Sequence, residues 1–73
     1  ENQHRKIAGY RELSQDEIDL MNRIKKHGVE IGALVESLRN RQQIDQRWVS
    51  IGATDLQTGL MALTRAVAQP TFF

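Results

Sequence analysis

The sequence predicts an all-α protein: a short N-terminal helix followed by an antiparallel hairpin of two long helices, assembled into a homo-oligomer. Three observations predict it. Apolar residues recur at helical spacing in two long runs, Met21 to Leu38 and Ile44 to Val67. A capping box, Ser14-Gln15-Asp16-Glu17, opens the first run, and Pro70, the single proline, closes the second. The 73 residues contain no cysteine, so a chain too small to bury a comfortable core has no disulfide or thiolate metal site to staple it. Packing against other copies is the most direct remedy.

Taken in order, residues 1–13 form a basic arm whose short helix is expected to stop at Gly9. The first long helix is expected over 14–40, where Ile24, Ile31 and Leu38 recur every seven residues, Met21 and Val35 interleave with them, and Leu20 and Leu34 widen the stripe. The polar interval Arg39-Asn40-Arg41-Gln42-Gln43 contains neither proline nor glycine and reads as a tight turn or a kink. A second long helix is expected over 43–69, with Ile44, Trp48, Ile51, Leu56, Leu60, Leu63 and Val67 as its stripe, and Trp48 reads as a core residue. Residues 70–73 form a tail whose Phe72 and Phe73 are expected to dock on the helices or on a neighbouring protomer. Four glycines inside the helices, Gly28, Gly32, Gly52 and Gly59, each cost about 1 kcal/mol relative to alanine, which implies close helix approach or a ligand. The whole chain, 1–73, reads as a single domain.

Ten basic and nine acidic residues give a formal charge of +1. That balance is far from what gripping long duplex nucleic acid requires, whereas a small anion needs only a few local cations. No apolar run approaches the roughly 20 residues of a membrane span, and no signal-peptide pattern opens the chain. With Glu1 in first place, the natural chain is expected to begin further upstream or to have been trimmed.

Catalysis finds little support. The two histidines, His4 and His27, lack metal-ligand spacing, no phosphate loop is present, and Asp16, Glu17 and Asp19 suit the positive end of a helix dipole. The pattern implies no cofactor and no metal. Binding is better supported. A phosphodiester ligand carrying flat bases needs cations and a π surface, and Tyr10 lies beside Arg5, Lys6 and Arg11, while Lys25, Lys26 and Arg65 add charge on the helices. Each has a plainer role open to it: Tyr10 as an amphipathic anchor, Lys25 and Lys26 as a solvated face, Arg65 as partner to an acid on another subunit, and His27 as a rim residue.

Two stretches, His4-Arg5-Lys6-Ile7-Ala8-Gly9-Tyr10-Arg11-Glu12-Leu13-Ser14 and the run from Asp55 through Met61-Ala62-Leu63-Thr64-Arg65-Ala66-Val67 to Phe73, closely resemble the phage anti-CBASS sponge family. Its members are small helical proteins that sequester cyclic oligonucleotide messengers of bacterial immunity. The resemblance implies a hexamer of helical hairpins, with cyclic dinucleotide sites between protomers and separate pockets for cyclic trinucleotides. It also implies sequestration without hydrolysis, in the cytoplasm of the infected bacterial host, with no membrane partner. By matching position, Tyr10 would stack on a base, Lys25 would contact a dinucleotide such as 3′,3′-cyclic GMP-AMP, and Arg65 would bind phosphate, with Arg11 and Lys26 nearby. His27 departs from the family pattern, which has a small hydroxyl residue there to hold trinucleotide phosphate; an imidazole donates to phosphate only in the right tautomer or when protonated. Two other classes explain parts of the pattern: a helical oligomerisation or protein-interaction module without nucleotide ligand, and an RNA or DNA binder using the same cations.

Overall fold

The computed structural model describes residues 12–71 and 73. Two helices, α1 (Gln15–Arg39) and α2 (Gln46–Ala68), pack against each other as an antiparallel hairpin. Among the described residues there is no strand. The arm, with its expected short helix and with Tyr10 and Arg11, lies outside the described residues. No helix among those described is long and apolar enough to cross a membrane.

α1 starts where the capping box places it. The Ser14 hydroxyl accepts from the Glu17 amide at 3.2 Å, and the Glu17 carboxylate accepts from the Ser14 amide at 2.9 Å. Two of the amide groups left without intrahelical partners are thereby satisfied. Asp16 and Glu17 sit in the first turn, against the positive end of the helix dipole.

The polar interval is a turn. α1 ends at Asn40, whose amide donates to Glu36 at 3.2 Å, and the Arg41 amide donates to Leu38 at the same distance. Without glycine or proline, the turn is held by one side chain: the Gln46 amide nitrogen donates to the carbonyls of Leu38 and Arg41 at 3.1 Å and of Ile44 at 3.2 Å. Asp45 then caps α2, its carboxylate accepting from the amides of Arg47 at 3.0 Å and Trp48 at 3.3 Å. The second helix therefore begins at Gln46, three residues after the expected start at 43, because Asp45 supplies the cap and Ile44 belongs to the turn.

Between the helices lies a narrow seam. Along α1 the half-buried positions are Glu17, Met21, Ile24, Gly28, Ile31, Val35 and Leu38, alternating steps of four and three. That heptad rhythm keeps one line of side chains on the partner over the full helix, about 38 Å. On α2 the seam runs through Val49, Ala53, Leu60, Thr64 and Val67. Gly28 faces the partner helix at mid-hairpin, where a Cβ would stand 3.5 Å from Leu60 Cδ1. Gly32, Gly52 and Gly59 meet nothing within 4 Å, so within one chain only Gly28 serves the close approach expected of all four.

The seam covers little. Val49, 9% exposed, is the single buried residue among those described. Trp48, expected in the core, is 61% exposed, because at about 100° per residue it points a quarter-turn away from Val49 and off the seam. Its neighbour Arg47 places its guanidinium 5.5 Å from the indole centre, a cation–π contact of modest worth at an exposed site. Leu34, Leu56 and Leu63 are exposed on the same flank, and Leu34 and Leu56 line with Trp48, Leu38, Ile44 and Gly52 an open apolar groove near the bend. The Cα radius of gyration, 16.1 Å, exceeds the roughly 11 Å of a compact domain of this length. One hairpin leaves its stripes wider than its partner can cover.

Replacing Gln46 by glutamate removes the side-chain donor shared by the three turn carbonyls, leaving Leu38 and Arg41 only their backbone donors, and sets a carboxylate among them. Gln46→Glu is expected to lower stability by about 1 kcal/mol or more, and Asp45→Ala by about 1 kcal/mol through loss of the cap. Both are read as urea midpoints by circular dichroism at one fixed protein concentration, since association contributes to apparent stability.

Candidate functional site

The other flank of the hairpin carries the chemistry. Asn22, Lys25 and Val29 stand at i, i+3 and i+7 and so form one row along α1; Met61, Thr64, Arg65 and Ala68 form the matching row along α2. The two rows face each other across a cleft of about 650 Å³, floored by Met21, Ile24, Gly28 and Leu60 and closed at one end by Pro70. Lys25 and Arg65, more than half the described chain apart in sequence, thereby line one cleft. The antiparallel hairpin brings the start of α1 beside the end of α2.

The cleft is apolar at its base and polar along its edges. Val29 and Met61 are about 70% exposed, large apolar side chains that an isolated soluble helix would not present side by side without something to cover them. Thr64 spends its hydroxyl hydrogen on the Leu60 carbonyl at 3.0 Å, which leaves only lone pairs facing the cleft. Arg65 donates from Nη2 to the Phe73 backbone oxygen at 2.8 Å. That contact exists because α2 ends in a left-handed residue: Gln69, at φ 46° and ψ 61°, donates its amide to the Arg65 carbonyl at 2.8 Å and turns the chain back over the helix end. The tail therefore returns to the helices through its backbone. The Phe73 side chain, expected to dock, is fully exposed in the single chain, and Phe72 lies outside the described residues.

The remaining predicted residues fall elsewhere. Lys26 is exposed and does not line this cleft. His27, two residues from Lys25, is rotated by about 200° and lies on the opposite flank, with Leu20 and Leu34. Its Nδ1 is 3.6 Å from Glu30 Oε1, both side chains being nearly two-thirds exposed, so the pair fixes little. The sequence reading did not single out Asn22, Val29, Met61 or Thr64. The signal for them was the row itself: Asn22, Val29 and Met61 stand three or four residues from a candidate cation, Thr64 stands three from Met61 and four from Ala68, and each shares its row's helix face.

A family model described as Acb2/Tad1, hairpin domain, matches residues 3–68. The chain belongs to this family. Anti-CBASS protein 2 of Pseudomonas phage JBD67 is 42% identical, over 96% of each chain. The family match extends from the arm through both helices, so in this member of the Acb2/Tad1 hairpin family the seam, the turn and every lining residue of the cleft except Pro70 lie within the shared domain. The resemblance carried by the His4–Ser14 and Asp55–Phe73 runs is thereby established at the level of family.

Gln69 holds a backbone conformation that glycine adopts without strain. Gln69→Gly is expected to raise stability by about 1 kcal/mol, seen as an increase of several degrees in the thermal midpoint.

Proposed function

We propose that this protein is a phage anti-immune factor that binds and sequesters cyclic dinucleotides of the 3′,3′-cyclic GMP-AMP type without cleaving them, and so keeps CBASS effectors from their activator. The observation that carries the proposal is the pairing of Lys25 and Arg65 on the two edges of one apolar-floored cleft. A cyclic dinucleotide is a ring with two phosphodiester charges and two flat bases, and it asks for cations at the edge and an apolar or aromatic surface beneath. Family membership and the name of the phage JBD67 relative, an anti-CBASS protein, support this reading, in which the protein acts in the cytoplasm of the infected bacterium. Tyr10, with Arg11 beside it, stacks on a base in this reading. His27, on the far flank, is in this reading a donor to the phosphate of a cyclic trinucleotide, and Lys26 adds to the local positive charge.

Sequestration needs no chemistry on the ligand. A binder in excess of the messenger, with a dissociation constant below the effector's threshold, holds free messenger down by mass action. The open, shallow cleft of one chain requires a second wall, and the exposed apolar flank of Leu34, Trp48, Leu56 and Leu63 is the surface through which hairpins associate in this reading, as the hexamer of the resembled family implies. A second reading, an interaction module without nucleotide ligand, is favoured by that same flank.

Calorimetric titration with 3′,3′-cyclic GMP-AMP followed by chromatography of the released ligand is expected to give saturable binding and intact nucleotide. Lys25→Ala removes a charge-assisted contact and is expected to weaken binding by about 10- to 100-fold, whereas His27→Ala leaves dinucleotide affinity within about twofold. A cleaved product, or no heat with any cyclic dinucleotide, sinks the proposal; the latter result favours the interaction module.

Association is tested separately. Trp48→Lys places a charge on the apolar flank and is expected to convert the assembly to smaller species in sedimentation velocity while helicity per chain is retained.

A further inference from the structure

We propose that Asn22 sets base preference in the cleft, favouring adenine over guanine. The inference rests on the cleft's being the dinucleotide site. Four polar side chains line it: Asn22, Lys25, Thr64 and Arg65. A lysine ammonium and an arginine guanidinium only donate, which suits phosphate. Thr64, its hydrogen committed to the Leu60 carbonyl, only accepts. Asn22 alone among the four offers a donor and an acceptor together in one plane, and among the described residues its carboxamide is engaged in no hydrogen bond. It stands one turn before Lys25 on the same row, so a ring whose phosphate meets Lys25 presents an adjoining base to it.

The chemistry then gives the direction. A carboxamide pairs bidentately with adenine, its N–H donating to N7 and its oxygen accepting from the N6 amino group, whereas the same edge of guanine presents two acceptors, N7 and O6, and leaves the amide oxygen facing O6. Such a bidentate pair discriminates by about 1–3 kcal/mol, or roughly 5- to 150-fold. The exposed position on a helix tolerates alanine, a better helix former than asparagine, so Asn22→Ala keeps the fold.

The test is calorimetry of the full chain with cyclic di-AMP and cyclic di-GMP, for the unmodified protein and for Asn22→Ala. Expected is a preference for cyclic di-AMP of about 5-fold or more that falls toward unity in the variant, with cyclic di-GMP affinity nearly unchanged. A preference that is absent, unchanged or increased in the variant overturns the role of Asn22 while leaving the cleft as the dinucleotide site. Failure of the unmodified protein to bind either ring overturns the reading of the cleft itself.

Discussion

Everything about this chain follows from the width mismatch between an amphipathic stripe and a seam. A strict heptad line, Met21 through Leu38 on α1, is as much as one partner helix covers. The sequence writes more apolar residues than that line holds, and a two-helix hairpin has no third layer to take the surplus. The surplus goes to the two flanks. One flank gathers leucines around Trp48. The other mixes Val29 and Met61 with Lys25 and Arg65. The division of labour between flanks is therefore a property of helical rotation: which side a residue serves is decided by its position modulo the helical repeat.

The helices were legible because their signals are local. Capping box, heptad recurrence and terminal proline each act over a few residues, and α1 begins at Gln15 with Ser14 as its N-cap, as the box requires. The start of α2 was less legible because an aspartate cap looks like any other aspartate until its carboxylate meets two amides, and because the bond donors that hold the turn come from Gln46, a residue with no special turn propensity. Trp48 was misplaced for a related reason. Spacing of three to four residues identifies a face to within about a third of a turn, and the seam is narrower than that.

For the site, Lys25 and Arg65 were both legible as candidates, and the antiparallel packing of one chain sets them on one cleft. That His27 looks away from Lys25 was available from helix geometry, since two residues along a helix carry a side chain past the opposite side. The neutral members of the cleft left no mark in the sequence: asparagine, methionine and valine become informative only once the row they stand in has a facing row.

The placement of the cleft has a consequence for the order of assembly. Near the bend, Leu38 and Val49 line one groove across about ten intervening residues, a closure that costs little entropy and takes well under a microsecond. The cleft sits at the other end, where Met21 and Ala68 share its lining and nearly the whole described chain must be brought round. A hairpin that zips from its bend completes the cleft last and frays there first. Whatever occupies the cleft clamps the loose ends of both helices, so occupancy should slow amide exchange most at the termini of the hairpin and least beside the turn.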